Sequence, residues 1–482
     1  MRMTDDAIVQ ALIRRIDAVC DIPRGASHGD DLAAALARLA EVVQTSPDAQ
    51  WRAYVAVTTK YPSEQDLANF SELLQTSGAP AAIEYLLDIN AKSAEPWAQS
   101  ADAEIVDRLC LDVTNTAKWT FHTGIQKVVR ELVPRWVREH DVALIVWDED
   151  AHTFRNPNAD ELDLIFMLNH SRQPAEQSKR IIIPANTMVF MPEVVTQPTR
   201  ANALECLATH SNNSLGLIIH DVLPLTMPEV FKERTRAGFT DALRLIRSAS
   251  LVSTVSESGK VDVDALVTCF ELDGFTSTRV CANPLPHELP TATTNADLPG
   301  IDPQLPMVLT VSSIEPRKNH EITLQAAEIL WNEGAQFQLV FIGWRTWFSG
   351  HLLKEIDRLS AAGKPVHLIR EATDDQLATA YRHARFTVFI SLGEGFGLPI
   401  AESFAAGTPA VVSNFGPMAE QAATGGADLV NPRDLAAVTA AIRKLLIDDQ
   451  HLHTLEQQLT TRPQRTWDTY ANTLWHHLTT NV

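Results

Sequence analysis

The residues of this 482-residue chain best equipped for chemistry gather at one corner, SLGEGFGLPIAESFAAGTP, Ser391 to Pro409. Glu394 and Glu402 stand eight residues apart there, on either side of the turn GFGLP. Gly395 and Gly397 allow backbone conformations and close approaches denied to other residues. Pro399 fits the first turn of a following helix, where its missing N–H costs nothing. The free amides at that helix start form an anion site. Carboxylates repel phosphate but accept hydrogen bonds from vicinal hydroxyls, so the pattern suits a ligand with both features, a sugar nucleotide. Cations for its diphosphate stand in VSSIEPRKNH, where Arg317 and Lys318 follow a strand. Arginine grips phosphate oxygens in pairs and lysine acts as a point charge. Cations at a helix start oppose the helix dipole, which favours a ligand as their reason for being there. In LIIHDVLPLTMPEVF, His220 and Asp221 end an apolar strand.

These residues need elements to hold them. Residues 1–102 read as helical: DDLAAALARLAEVV has helical apolar spacing, and Ser63 to Asp66 reads as a capping box opening a helix that Gly78 closes, with APAAIEYLLDINAK beginning another. From about residue 103 short apolar runs alternate with helical pattern: IVDRLCLDV, VALIVWD, NTMVFM, LGLIIHDV and ASLVSTVS, then PMVLTVSSI, FQLVFIG, PVHLIRE, FTVFIS and TPAVVSN. Parallel strands need crossover helices, so the rhythm predicts an α/β architecture of two Rossmann-like domains facing each other across a cleft. Ligands bind at the carboxyl ends of such strands, where the residues above fall. The expected divisions are a helical N-terminal module over 1–102, a Rossmann-like acceptor-side domain over 103–290, a nucleotide-sugar domain over 300–448, and a closing segment over 449–482. Asn283 to Pro306 reads as the linker.

EGFGLPIAE resembles the E-x7-E signature of family-4 retaining glycosyltransferases, which have the GT-B fold. The resemblance implies that Glu394 faces the donor sugar and Glu402 the nucleotide ribose, with Gly395, Phe396, Gly397 and Leu398 between them on the donor. It implies that Arg317 and Lys318 neutralise the donor diphosphate. WTFHTGIQKVVREL is similar to the TGIQRVVREL segment of bacterial polysaccharide members, with Lys127 in place of the usual arginine. That places His122, Thr123 and Gly124 at the cleft, before an amphipathic helix whose buried face is Ile125, Val128, Val129 and Leu132. The family histidine at the HDxLPLxxPE position contacts the donor sugar, which points to His220 and, on the acceptor side, Asp221. Ser256 matches a family loop; it is expected to cap the next helix and, with His122 and Thr123, is a candidate on the acceptor side. Gly343 ends a strand where the base packs, Trp344 follows it, and His367 to Glu371 wall the base pocket. Trp467 and Ala471 resemble a closing helix that crosses back onto the first domain. The resemblance covers about residues 105–478 and leaves the first hundred aside.

From this the chain is expected to be a retaining hexosyltransferase of bacterial surface polysaccharide synthesis, mannosyltransferase-like. GDP-mannose is the first choice of donor, and the acceptor is a glycan or lipid-linked glycan. No cofactor and no metal are expected: the DxD triplets Asp148–Asp150 and Asp262–Asp264 arise easily in a chain with 60 acidic residues. Two other readings of the architecture are a catalytically silent scaffold that binds partners and a GT-B sugar-nucleotide epimerase. A dehydrogenase would need a GxGxxG after the first strand, which the chain lacks. A net charge of -20 and the lack of a basic run argue against nucleic acid. No apolar run reaches membrane-spanning length and the first residues, MRMTDDAIVQ, carry no secretory pattern. Five scattered cysteines suggest reduced thiols. The expected location is therefore cytoplasmic, with any contact at the inner membrane face peripheral. Residues 1–102 are where a membrane or protein partner would dock.

Overall fold

The computed structural model describes residues 6–21, 31–92, 95–119, 123–168, 179–275, 277–289, 296–344 and 350–480. The chain opens with helices Asp6–Val19, Leu32–Val42, Pro47–Thr58, Glu64–Ala91 and Pro96–Ser100. The Ser63 hydroxyl accepts from the Asp66 N–H while the Asp66 carboxylate accepts from the Ser63 N–H, a closed capping box. Gly78, at φ 82° and ψ 171°, breaks the helix that follows, a conformation open to glycine, and Pro80 sits in the first turn of the resumed helix.

These helices do not form a separate body. Their apolar faces and the first sheet share one core, in which the Tyr61 ring packs edge-on against Trp51, Trp147 and Phe154 at 5.2, 6.0 and 5.3 Å. The Tyr61 hydroxyl donates to the Ile182 carbonyl at 2.6 Å. Buried Arg15 donates to the carbonyls of Ala56, Gln99 and Ala101, and burial lowers it to about 10. Residue 102 marks a change of secondary structure rather than of core.

Among the described residues the first sheet has nine strands: β1 (Ala103–Val106), β2 (Cys110–Asp112), β3 (Ala143–Asp148), β4 (Thr153–Arg155), β5 (Ile181–Pro184), β6 (Met188–Met191), β7 (Ser214–Ile219), β8 (Leu251–Thr254) and β9 (Arg279–Ala282). Their order is β1-β5-β4-β3-β2-β6-β7-β8-β9, with β4 antiparallel to its neighbours β3 and β5 and every other pair parallel. The run IVDRLCLDV, expected as one strand, is two. Arg108 lies between them and pairs with Glu104 and Asp141, and the halves part to the edge and the middle of the sheet. Strands β4, β5 and β9 were not among the expected ones.

The second sheet holds β10 (Met307–Val311), β11 (Gln338–Ile342), β12 (Val366–Ile369), β13 (Phe386–Phe389), β14 (Ala410–Ser413) and β15 (Ala427–Val430), all parallel, in the order β12-β11-β10-β13-β14-β15. Counted from β10 this is the 3-2-1-4-5-6 order of a doubly wound sheet, whose crevice opens where the order reverses, between β10 and β13.

Two crossings join the lobes, one after β9 and one before the last helix, and they hydrogen-bond to each other through His287 N–H and the Arg465 carbonyl at 3.1 Å. The closing segment expected over 449–482 divides. Helix Asp449–Thr460 puts Leu452 and Leu455 into the second lobe's core. Only helix Trp467–Thr479 crosses back, burying Trp467, Tyr470, Ala471 and Leu474 with Trp136 and Val129 of the first lobe. Trp136 Nε1 donates to the Ala471 carbonyl at 3.1 Å, and Asn283 Nδ2 donates to that of Tyr470 at 3.1 Å.

Candidate active site

Both strands at the switch point of the second sheet deliver charge to it. After β10 the chain makes a short 3-10 turn, Pro316–Lys318, before helix His320–Asn332. After β13 it runs through Glu394 to helix Leu398–Ala405, with Gly397 at φ 95° as the last residue outside and Pro399 in the first turn. The Glu394 carboxylate spans both cations: Oε1 lies 2.6 Å from Lys318 Nζ and Oε2 2.9 Å from Arg317 Nη1. Arg317 also pairs with Glu315 at 2.8 Å and donates to the Gly393 carbonyl. Ser391 Oγ, donating to the Arg317 carbonyl at 3.1 Å, ties the two turns together.

Burial would raise the Glu394 carboxyl, but the charges of Lys318 and Arg317, with hydrogen bonds from Lys318 and Ser391, hold it down at about 2. A buried ion pair adds little net stability, because desolvation offsets the attraction. What it does provide is fixed charge in a low-dielectric crevice, where charge acts most strongly on a bound ligand.

The first lobe closes onto this corner. A Cβ on Gly395 would lie 1.7 Å from the His220 carbonyl oxygen, so only glycine fits there, and one on Gly393 would lie 2.6 Å from the side-chain end of Met227, at Sδ. His220 follows β7; its ring is buried, its Nε2–H donates to the Pro192 carbonyl at 2.9 Å, and burial lowers it to about 4, so it is neutral at pH 7. Asp221 accepts from the Leu223 N–H at 3.0 Å, and burial raises its carboxyl in spite of nearby Arg317. Ser256 caps helix Glu257–Leu272 by accepting from the Gly259 N–H, and donates across the crevice to the Gly395 carbonyl at 2.7 Å. Gly124 begins helix Gly124–Glu139 at the same interface, where its Cβ position would be 3.4 Å from Leu398 Cδ1. Thr123 precedes it, exposed, with its hydroxyl turned to Gln126 Oε1. His122 lies outside the described residues.

Other expected residues divide by role. Gly343 ends β11 so close to the preceding turn that a Cβ would lie 1.8 Å from the Ser312 carbonyl oxygen. Trp344 beside it is 60% exposed, so it anchors no core. The Phe396 side chain is buried in the apolar cluster between the lobes, beside the His287 ring, and Leu398 packs at the edge of that cluster. Any donor contact from Phe396 would come from backbone. In the DxD triplets, Asp148 pairs with Arg155 and Asp264 with Lys260. Among the described residues no group of three or more His, Cys, Asp or Glu side chains could hold a metal ion.

Three residues that sequence reasoning left out of the site also reach it. Glu402, one turn inside its helix, accepts from Lys127 Nζ at 2.6 Å and from the Tyr381 hydroxyl at 2.9 Å. The Glu420 carboxylate accepts from the N–H groups of Glu257 and Ser258 at the start of the helix that Ser256 caps. Lys127 was visible only as a replacement within its motif; Tyr381 and Glu420 carry no spacing signal. A cavity of about 680 Å³ opens by the lobe crossings, lined by Lys127, Arg135, His287, Phe404, Arg462 and Arg465, and does not reach Glu394.

Residues 293–462 match the family described as Glycosyl transferases group 1. That stretch is a group 1 glycosyl transferase domain. It contains Arg317, Lys318, Glu394 and Glu402 and leaves the first lobe outside the match. Over a longer span the chain is 26% identical to the serotype-specific mannosyltransferase WbdA of Escherichia coli, across 333 residues that are 63% of this chain and 37% of that protein. It is 31% identical to the O-antigen chain mannosyltransferase B of Escherichia coli across 237 residues, 48% of this chain and 60% of that protein. The chain thus spans less than two thirds of either relative. In structure it resembles sucrose-phosphate synthase from Thermosynechococcus elongatus, at 16% identity and a TM-score of 0.54 over 78% of this chain and 100% of that one. The group 1 domain and the lobe facing it therefore have the GT-B fold. Among the described residues no helix is long and apolar enough to cross a membrane.

Proposed function

We propose that the chain is a retaining hexosyltransferase that moves mannose from GDP-mannose to a glycan acceptor, free or lipid-linked, during synthesis of a bacterial surface polysaccharide. The observation that carries this reading is the meeting of Arg317, Lys318 and Glu394 at the switch point of the second sheet, under a lobe that touches Gly395. The bond between the sugar's C1 and the diphosphate oxygen breaks through an oxocarbenium-like state. Charge grows on the departing diphosphate, where Arg317, Lys318 and the amides after Glu394 stabilise it. Glu394 reads sugar hydroxyls and Glu402 reads the ribose. The acceptor hydroxyl attacks from the face the diphosphate leaves and gives its proton to that leaving group. The route needs no covalent nucleophile of the kind retaining glycosidases use, and no metal ion. The relatives named as O-antigen and serotype-specific mannosyltransferases support mannose as first choice and a polysaccharide as the acceptor.

The test is a screen of nucleotide sugars for ligand-induced thermal stabilisation, followed by incubation with mannan oligosaccharides and linkage analysis of the product. GDP-mannose should stabilise the protein and yield an α-linked product. Stabilisation by a different sugar nucleotide alone would replace the donor. A β-linked product would overturn retention. Donor binding with no turnover on any acceptor would favour a silent scaffold.

A further inference from the structure

The Glu402 carboxylate, 8% exposed, is held from two sides. Tyr381 of its own lobe donates to Oε2, and Lys127, one turn into helix Gly124–Glu139 of the opposite lobe, donates to Oε1. A carboxylate this short of water is costly unless a charge and hydrogen bonds compensate it; Lys127 supplies the charge and Tyr381 a hydrogen bond. Each carboxylate oxygen has about two acceptor sites, so the two donors fix the plane of the group and still leave an acceptor site on each oxygen. The base of Lys127's helix touches the other lobe as well, with Gly124 against Leu398. The Lys127–Glu402 pair thus forms where the lobes are in contact.

We propose that Lys127 is a positioning residue for donor recognition: from the facing lobe it orients the carboxylate that takes the ribose hydroxyls, so the ribose is read in full only when the lobes are closed. This rests on the reading of Glu402 as the ribose acceptor. It gives the lysine in the IQKVV stretch a task that neither lobe performs alone.

The experiment compares calorimetric Kd values for GDP and UDP with those for their 2′,3′-dideoxy forms, in the full chain and in K127M, K127R and E402Q, each checked for folding by its thermal midpoint. The readout is the dideoxy-to-ribo Kd ratio for whichever base binds. In the wild type the ratio should be roughly tenfold or more, the low end for hydrogen bonds to a charged group. In K127M and E402Q it should fall to about one, because the dideoxy ligand has already lost the contact. K127R, which keeps the charge, should restore most of it, whereas a merely structural lysine would change both Kd values together and leave the ratio alone. A wild-type ratio in K127M beside a ratio of one in E402Q would overturn the role of Lys127 and leave Glu402's reading standing. A wild-type ratio in E402Q, or no binding of either nucleotide to the wild type, would overturn the ribose reading and this inference with it.

Discussion

Replacing Gly395 with alanine tests whether the lobes meet in the working enzyme as they do here. The added methyl carbon would stand 1.7 Å from the His220 carbonyl oxygen, while an unstrained carbon–oxygen approach is about 3.3 Å or more. The corner and the first lobe must then separate by about 1.5 Å at this point, because β7 behind His220 is held between β6 and β8 and cannot retreat alone. A misplacement of about 1 Å between reacting groups costs on the order of 10²-fold in rate, so kcat should fall about that much. Both lobes keep their own cores, so the thermal midpoint should move by only a few degrees. Gly350→Ala is the control: no atom of the described residues lies within 4 Å of its Cβ position, it begins a helix, and alanine there should be neutral or mildly stabilising. Steady-state kinetics of the proposed sugar transfer, with thermal unfolding of both variants, would decide the matter. A Gly395→Ala enzyme with wild-type kcat and KM would refute the reasoning, since it would mean that turnover never brings His220 against this glycine.

Further expectations concern the charges. Glu394→Gln should lower transfer by roughly 10²-fold and also destabilise the fold by about 3 kcal/mol, since removing one partner of a buried pair strands the others; denaturant unfolding that matches the wild type would contradict the buried triad. Because the folded Glu394 carboxyl sits at about 2, below its ordinary value of 4.5, it contributes stability above pH 4.5, and that contribution of about 3 kcal/mol fades as pH falls toward 2; Glu394→Gln should flatten this acid limb in unfolding experiments, and an unchanged limb would assign the effect elsewhere. His220, lowered to about 4 by burial, should contribute no ionisation to kcat/KM between pH 5 and 8, and an inflection near 6.5 that vanishes in His220→Gln would show that the ring is solvated during turnover. Prolonged treatment with a chelator should leave transfer within twofold of its starting rate; a loss restored by magnesium or manganese would rule out the metal-free route.

What the sequence disclosed follows the range of the interactions. The Ser63–Asp66 box and the Gly78 break are local, set by three or four residues and one backbone angle, and both could be read directly. Arg317, Lys318 and Glu394 lie 76 or 77 positions apart, yet each stands just after a strand of a parallel sheet, so topology alone brought them to one place. The Lys127–Glu402 pair spans 275 positions and two lobes, and no periodicity within either helix hints at it. Tyr61 sets its hydroxyl on Ile182, 121 positions away, a contact too distant for any local pattern to reveal that the N-terminal helices lean on the first sheet. Phe396 was expected at the donor because it lies inside the E-x7-E motif; its ring went instead to the apolar seam between the lobes, which a motif cannot display. Strands β4 and β9 each carry an arginine in three or four residues and so lack the short apolar run by which β6 and β8, no longer, could be read.

The route of the final helix has a consequence for biosynthesis. Trp467, Tyr470 and Leu474 fill a groove against Trp136 and Leu132, so more than three hundred residues pass through the ribosome between the two sides of one hydrophobic seam. While the second lobe can condense as it emerges, the earlier half waits with an apolar trench open until helix Trp467–Thr479 has emerged. Truncated products would therefore display greasy surface in the older part of the molecule, far from the cut, and it is there that chaperones should be found holding them.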